Sequence, residues 1–359
     1  VTVRLYGRAQ GHSSHAQVTA GFSETLRAAH LLTGFVALDL AAISNELQRE
    51  RDALSGLGGA ATHGVFTGAL GHVESMLQHA AHRQRWVMVA PNSTLIPQGL
   101  VREVRRVATT VLAPSDWAAG VLSELFDLPV LCVAHGVSRD FAVSVDLNGR
   151  RVSSYEGGTF KVLHFSTSDR ERKGTLELIR AWQLLMKERR LPEQASLGLI
   201  LDYAARARLV ERLSDEELRT PKALFLSRVD LAPKQMAELL GSAHVVCQPS
   251  RGEAFGLIPL EALCCGVPVV ATACTGHSQY LHDGLPGAQI VPHRALAPID
   301  DVPEAMAPEV RVDDIAQAIV SAYERWSTLH EGAVRNANAL YEQWSWRRQL
   351  APFLAKLNQ

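Results

Sequence analysis

Glu253 and Glu261 bracket the stretch of this sequence with the clearest chemical capability, Gln248-Pro249-Ser250-Arg251-Gly252-Glu253-Ala254-Phe255-Gly256-Leu257-Ile258-Pro259-Leu260-Glu261-Ala262-Leu263, followed by Gly266-Val267-Pro268-Val269-Val270-Ala271-Thr272. It reads as strand, glycine-bearing turn, short helix, strand. Pro259 has no N–H to donate and fits only near a helix start, so the helix is expected to begin at about Phe255 to Leu257. The first amides of such a helix have no intrahelical acceptor, and with the positive end of the helix dipole they form a seat for a phosphate or pyrophosphate. Glu253 then lies in the turn before the helix and Glu261 one to two turns into it, separated by on the order of 10 Å along the axis. That is too far for a shared proton. It suits a ligand with hydroxyls at both ends and an anion in the middle, and a nucleotide sugar is such a ligand.

These residues need a scaffold of strand ends and helix starts, and the rest of the chain predicts one. An alternating run at residues 1–6 and short β-branched or apolar runs at 34–38, 86–90, 110–113 and 130–133 alternate with helix-period stretches. A second series follows at 160–165, 197–201, 223–226, 244–247, 267–271 and 288–291. Strands alternating with helices predict parallel α/β sheets, here as two doubly wound units in tandem. The polar, glycine-bearing stretch 146–158 suits a linker between them. After about residue 310 only helix-period stretches remain, 312–329 and 334–357; the second carries Trp344, Trp346, Leu350, Phe353, Leu354 and Leu357 near helical spacing and reads as an amphipathic closing helix with its tryptophans in the core.

The composition narrows the function classes. The length of 359 residues favours two folding units. Apolar residues make up 47% and charged ones 20%, a globular mix, and 36 Lys plus Arg against 37 Asp plus Glu give a net charge of −1. Such a chain has no bulk attraction for nucleic acid or anionic lipid, so any anion it binds must be held locally. The five cysteines (Cys132, Cys247, Cys264, Cys265, Cys274) form no CxxC pair and argue against zinc fingers and disulfide scaffolds. His12 and His15 have no Cys, Asp or further His beside them, which weakens a zinc reading. His63, His72, His79 and His82 each read as solvated helix or loop residues and receive no role. The chain opens directly on a strand pattern and has no signal-peptide pattern or membrane-length apolar run, so a cytoplasmic protein without an integral membrane segment is expected.

The Glu253-x7-Glu261 spacing, set in Pro249-Ser250-Arg251-Gly252-Glu253-Ala254-Phe255-Gly256 and ahead of Gly266-Val267-Pro268-Val269-Val270, resembles the signature of retaining glycosyltransferases of family 4. The resemblance implies the GT-B fold, an α/β architecture of two Rossmann-like doubly wound domains facing a cleft. Its expected boundaries are an acceptor-binding domain over 1–155, a nucleotide-sugar-binding domain over 156–335, and a closing helix over 336–359 that packs back toward the N-terminal domain. It implies that Glu253 faces the transferred sugar and Glu261 binds the ribose hydroxyls. Phe255-Gly256-Leu257, Thr275 and Gly276 would line the donor, and Val229, in the Ser227–Asp230 loop, would meet the base mainly through its backbone.

Phe165-Ser166-Thr167-Ser168-Asp169-Arg170-Glu171-Arg172-Lys173-Gly174-Thr175 resembles the family loop whose Arg and Lys grip the diphosphate. Cations are required there because cleavage of the sugar–phosphate bond throws negative charge onto the leaving group. Lys173 aligns with the family lysine. Ser168 stands where the arginine is common, so that role passes to Arg172 or Arg170. Leu5 through His15 resembles the glycine-bearing first loop over the diphosphate and acceptor, with Gly11 permitting close backbone approach and His12 a candidate contact. Asn92 stands where family members often carry a histidine against the transferred sugar; its amide can donate a hydrogen bond but carries no charge. Further likeness lies in Val111 through Trp117, His135-Gly136-Val137 and Thr272 through Ser278, where His277 also comes near the donor.

The implied reaction is hexosyl transfer from a nucleoside diphosphate sugar to a hydroxyl of a small-molecule or glycan acceptor. Configuration is retained, through a front-face mechanism in which the departing phosphate takes the acceptor proton. No metal and no cofactor beyond the donor are implied, because no Asp-x-Asp lies at a strand end. A nucleotide-sugar epimerase on the same architecture would turn over donor without acceptor, and a non-catalytic nucleotide-sugar-binding protein would release no diphosphate.

Overall fold

The computed structural model describes residues 1–7, 14–37, 61–67, 82–142, 159–166, 171–227, 231–299, 302–357 and 359. Gly11, His12, Arg170, Val229 and the expected linker at 146–158 lie outside the described residues.

The N-terminal sheet consists of β1 (Val3–Gly7), β2 (Leu32–Ala37), β3 (His63–Phe66), β4 (Gln84–Met88), β5 (Thr110–Ala113) and β6 (Val130–Cys132), all parallel in the order β2-β1-β3-β4-β5-β6. Helices α1 (Ser14–Ala28), α2 (Gln98–Val107) and α3 (Asp116–Leu125) are carried between its strands. β5 is buried at every position, the pattern of a strand covered on both faces. α2 buries Val101, Val104 and Val107 and turns Arg102, Arg105 and Arg106 to solvent, so its apolar spacing alone fixes which side meets the sheet. Ser115 caps α3 by accepting from the Ala118 N–H.

The second sheet contains β7 (Lys161–Ser166), β8 (Ser196–Leu201), β9 (Ala223–Ser227), β10 (Val245–Gln248), β11 (Val269–Thr272) and β12 (Ala288–Val291) in the order β12-β11-β10-β7-β8-β9. Its helices are α4 (Thr175–Lys187), α5 (Tyr203–Arg212), α6 (Asp215–Leu218), α7 (Pro233–Gly241) and α8 (Leu257–Cys264), followed after β12 by α9 (Val312–Glu324) and α10 (Trp326–Trp344). α4 and α9 bury Leu178, Ile179, Trp182, Leu185, Ile315 and Ile319 in one core with β7 and β8. The chain steps outward from β7 through β8 to β9, then crosses back to β10 on the other side of β7. In open α/β sheets, ligands bind beyond the carboxyl ends of the strands at this reversal.

The structure corrects several expectations. β3, whose sequence His-Gly-Val-Phe is short and half polar, was not anticipated, nor was the antiparallel hairpin of β13 (Leu296–Ile299) and β14 (Val302–Pro308) after β12. The chain divides into two compact units, one of Val1–Pro91, Leu95–Ser138 and Trp344–Gln359 and another of Asn92–Thr94 and Arg139–Gln343. The division after Ser138 precedes the expected 155/156 boundary because Phe141 is fully buried in the second unit, where its carbonyl receives the Cys265 thiol at 3.6 Å. The expected single closing helix from residue 336 is instead the end of α10, a break at Ser345, and two short helices, α11 (Trp346–Gln349) and α12 (Ala351–Leu357). Trp344 and Trp346 are both 6% exposed. Within the first unit Trp346 packs so closely on Gly21 that a Cβ there would lie 2.1 Å from its ring, and the Val137 N–H donates to the Trp344 carbonyl at 2.8 Å. Among the described residues, no helix is long and apolar enough to cross a membrane.

Candidate functional site

The ends of β7 and β10 are locked to one another by side chains that continue the sheet ladder. The Gln248 amide donates to the Phe165 carbonyl at 3.1 Å and accepts from its N–H at 3.3 Å. His164 bridges the same strands to α4, with Nδ1 2.9 Å from the Cys247 carbonyl and Nε2 2.9 Å from the Thr175 hydroxyl. Burial lowers the pKa of His164 to about 4, so it serves as a neutral hydrogen-bonding strut. Beyond these ends, the Arg251 N–H donates to the Arg172 carbonyl at 2.6 Å. That bond joins the turn Glu171–Lys173 to the loop 249–256.

The joined loops produce a buried ionic cluster. Glu253 is 6% exposed; one carboxylate oxygen meets Arg172 Nη1 at 2.9 Å and the other meets Lys173 Nζ at 2.5 Å. Arg172 Nη1 also donates to the Gly252 carbonyl at 2.7 Å. Burial pushes the Glu253 carboxyl upward, but the charges of Lys173 and Arg172 outweigh it and hold the group well below the ordinary carboxylate range. Glu253 therefore stays ionised and acts as an acceptor only.

The loop 272–280 fixes this carboxylate from the main-chain side. The Glu253 N–H donates to the Thr275 hydroxyl at 3.0 Å, and the Gly276 N–H donates to the Glu253 carbonyl at 2.8 Å. A Cβ on Gly276 would sit 2.4 Å from the Ala254 backbone, so only glycine allows this approach. Thr275 holds φ at +49°, a left-handed conformation that is strained for a β-branched side chain. α8 begins at Leu257, with Gly256 at φ +83° as its N-cap. The amides of Leu257 and Ile258 open the helix and Pro259 has none, as its position predicts.

The structure thus brings Glu253, Arg172, Lys173, Gly256, Thr275 and Gly276 together and selects Arg172 as an arginine in contact with the acidic loop. Phe255 is 1% exposed and packs its ring on Tyr280 with centroids 5.4 Å apart. Glu261 lies within α8 at 1% exposure. Asn92 is grouped with the second unit, where its main-chain carbonyl lies against Gly252; a Cβ there would be 2.1 Å from that oxygen. His82 does not fit the solvated role expected of it: it is 4% exposed, with Nε2 2.8 Å from the Tyr6 hydroxyl and Nδ1 2.7 Å from the Ala61 carbonyl. Among the described residues no group of three His, Cys, Asp or Glu is placed to hold a metal ion.

Two buried residues of this region were not assigned from the sequence. Arg251, 6% exposed, sends Nε to the Pro308 carbonyl and Nη2 to the Pro298 carbonyl, each at 3.0 Å, and so ties the β13–β14 hairpin to the acidic loop. Tyr280 donates its hydroxyl to the Gly256 carbonyl at the start of α8. A tyrosine or arginine within an apolar or glycine-rich turn is the one signal that points to such buried ties.

Comparisons with known proteins agree with this geometry. The chain matches the family described as family 4 glycosyltransferases in conflict systems over residues 103–353. A phosphatidyl-myo-inositol mannosyltransferase of Mycobacterium tuberculosis is 28% identical over 252 residues, which is 69% of this chain and 59% of that protein. A D-inositol 3-phosphate glycosyltransferase of an Arthrobacter species is 47% identical over 77 residues, 21% of this chain and 18% of that one. The chain therefore spans less than two thirds of the length of these relatives. Among solved structures, sucrose-phosphate synthase from Thermosynechococcus elongatus superposes with a TM-score of 0.70 at 16% identity over 99% of each chain. Anabaena Alr3699/HepE in complex with UDP and glucose superposes with a TM-score of 0.65 at 15% identity, over 99% of this chain and 100% of that one. The two six-stranded doubly wound sheets are those of the GT-B fold, and the chain belongs to the family 4 glycosyltransferases of conflict systems.

Proposed function

We propose that this chain transfers a hexosyl group from a nucleoside diphosphate donor to a hydroxyl acceptor, with retention of anomeric configuration and without a metal. The observation that carries this reading is the buried Arg172–Glu253–Lys173 cluster at the β7/β10 reversal, beside the start of α8. Arg172 and Lys173 would offset the charge that develops on the departing diphosphate, and the α8 amides would hold its oxygens. Glu253, kept ionised by its neighbours, cannot supply a proton. It orients sugar hydroxyls by accepting from them, and the leaving phosphate takes the acceptor proton. Glu261 is assigned to the ribose hydroxyls. A nucleotide-bound neighbour of the same fold is consistent with this donor class.

A thermal-shift panel of UDP, GDP, ADP and TDP sugars tests the reading, because a ligand that binds only the folded chain raises its melting temperature. At least one donor should stabilise the protein, and an acceptor screen with that donor should release nucleoside diphosphate. Stabilisation by none of the donors would reject the reading. Donor turnover without any acceptor would indicate epimerase chemistry, and binding without release under every acceptor would indicate a binding protein.

A further inference from the structure

His277 stands inside the site with one nitrogen committed and one available. Its Nδ1 lies 3.1 Å from the Thr272 carbonyl, which fixes the proton on that nitrogen and leaves the lone pair on Nε2. Among the described residues, Nε2 makes no hydrogen bond. The Cδ2–Nε2 edge lies against Gly256, the N-cap of α8: a Cβ on Gly256 would be 2.2 Å from both atoms and 3.2 Å from the Glu253 side chain. The imidazole edge and the Glu253 side chain therefore both lie against Gly256 at the start of α8, and His277 is 1% exposed.

We infer that His277 is a proton-linked binding residue for the anionic diphosphate: it is neutral in the free protein and takes up a proton on Nε2 when the ligand binds, so that it donates to a phosphate oxygen. The inference rests on the nucleotide-sugar reading above. An acceptor lone pair beside a phosphate oxygen is repulsive, whereas an N–H there is a charge-assisted hydrogen bond. The groups that face His277 explain both states. Burial, Lys173 and Arg172 hold its free-state pKa down to about 4, against the opposing pull of Glu253. From its own loop Tyr280 faces it edge-on, with ring centroids 6.0 Å apart, and at the start of α8 Gly256 lies against it. A bound diphosphate adds negative charge beside the same cations and reverses the balance.

The sign follows from linkage. If the complex binds a proton that the free protein lacks, affinity rises as pH falls, by at most about tenfold per pH unit, until the free imidazole also protonates near its own pKa. Nucleotide sugars are suitable probes because both phosphates of the diester keep one charge each throughout this range. Affinities for UDP-glucose, GDP-mannose, ADP-glucose and TDP-glucose are to be measured by calorimetry between pH 5.5 and 8, in buffers of differing ionisation enthalpy. The best probe should bind about threefold or more tighter at pH 6 than at pH 8 with net proton uptake, and His277→Gln should bind it with a flat pH profile and no uptake. A pH-independent affinity in the unaltered protein, or an unchanged pH dependence in His277→Gln, overturns this inference and leaves the donor reading standing. Failure to bind any probe at any pH overturns both. Should His277→Gln not fold, the imidazole Cε1–H resonance of the unaltered protein carries the test, and an apparent pKa that does not rise on ligand binding overturns the inference.

Discussion

Each sheet reverses its strand order beside its first strand, and among the described residues the side chains at the two reversals differ in kind. Among the described residues between β1 and β3, the Thr19 and Thr67 hydroxyls lie 2.9 Å apart, and Gly7 is packed so that a Cβ would meet the Thr19 hydroxyl at 2.3 Å. Between β7 and β10 the corresponding place holds two cations and a carboxylate, nearly removed from water. The architecture supplies a crevice at each reversal, and only the residue types decide whether it becomes an anion seat. A neutral hydroxyl pair is inexpensive to bury, whereas an ionic triad persists only when every member is held.

This contrast can be broken first at Glu253. Glu253→Gln leaves Arg172 and Lys173 buried without their carboxylate and should cost about 3–5 kcal/mol of stability, measured by chemical denaturation; a cost below about 1 kcal/mol would make the cluster no different from a surface pair. Lys173→Ala is expected to lower turnover by about a hundredfold or more while changing donor affinity far less, and Glu261→Ala should show the opposite pattern, with weakened nucleotide binding. Steady-state kinetics beside calorimetry separate the two.

Acid should act unequally on the molecule. His164 and His277 are held neutral by burial, with pKa values lowered to about 4, so the unfolded chain binds more protons than the folded one between that value and the ordinary 6.5. Stability is then fully present above pH 6.5 and lost as pH falls toward 4, by on the order of 1 kcal/mol per pH unit for each histidine. Glu253, with its pKa depressed, adds a further loss only below the ordinary carboxylate range. A pH series of denaturation midpoints reads this, and replacing both histidines by glutamine should reduce the slope of the upper limb without abolishing it, because burial lowers His135 to about 3 and His244 to about 4 as well.

The remaining effects are smaller. Thr275→Ala loses the hydroxyl that receives the Glu253 N–H yet keeps the left-handed strain, whereas Thr275→Gly loses the hydroxyl and relieves the strain. The glycine variant should be the more stable of the two by about 1 kcal/mol in thermal or chemical unfolding. In the N-terminal unit, changing Thr19 and Thr67 together to valine should shift stability by less than about 1 kcal/mol and leave nucleotide binding unaltered, since the two hydroxyls leave together and the Tyr6 carbonyl that Thr67 also meets still accepts the Thr67 N–H.

Much of the second unit was legible in the sequence because its strands are short, nearly unbroken runs of Val, Leu and Ile, and because Pro259 admits only one kind of helix start. The pairing of Lys173 with Glu253 was not legible. It depends on two loops eighty residues apart being tied by the Gln248 amide and the Arg172 carbonyl, and no spacing rule encodes that. β3 escaped notice because His63 and Gly64 interrupt its apolar pattern. The β13–β14 hairpin escaped because Pro298 and Pro308 argue against strands except at edges, where a two-stranded sheet places them. His82 looked solvated by composition and is buried because the Tyr6 hydroxyl and the Ala61 carbonyl satisfy both its ring nitrogens.

Arg251, two residues ahead of Glu253 in the chain, reaches the hairpin, among the described residues, through the carbonyl oxygens of Ala297, Pro298 and Pro308. A grip on peptide oxygens is indifferent to the side chains around it. The hairpin can therefore drift in sequence, and its outward residues can be recruited to new contacts, while the acidic loop keeps its register as long as the path of the ribbon's backbone is preserved.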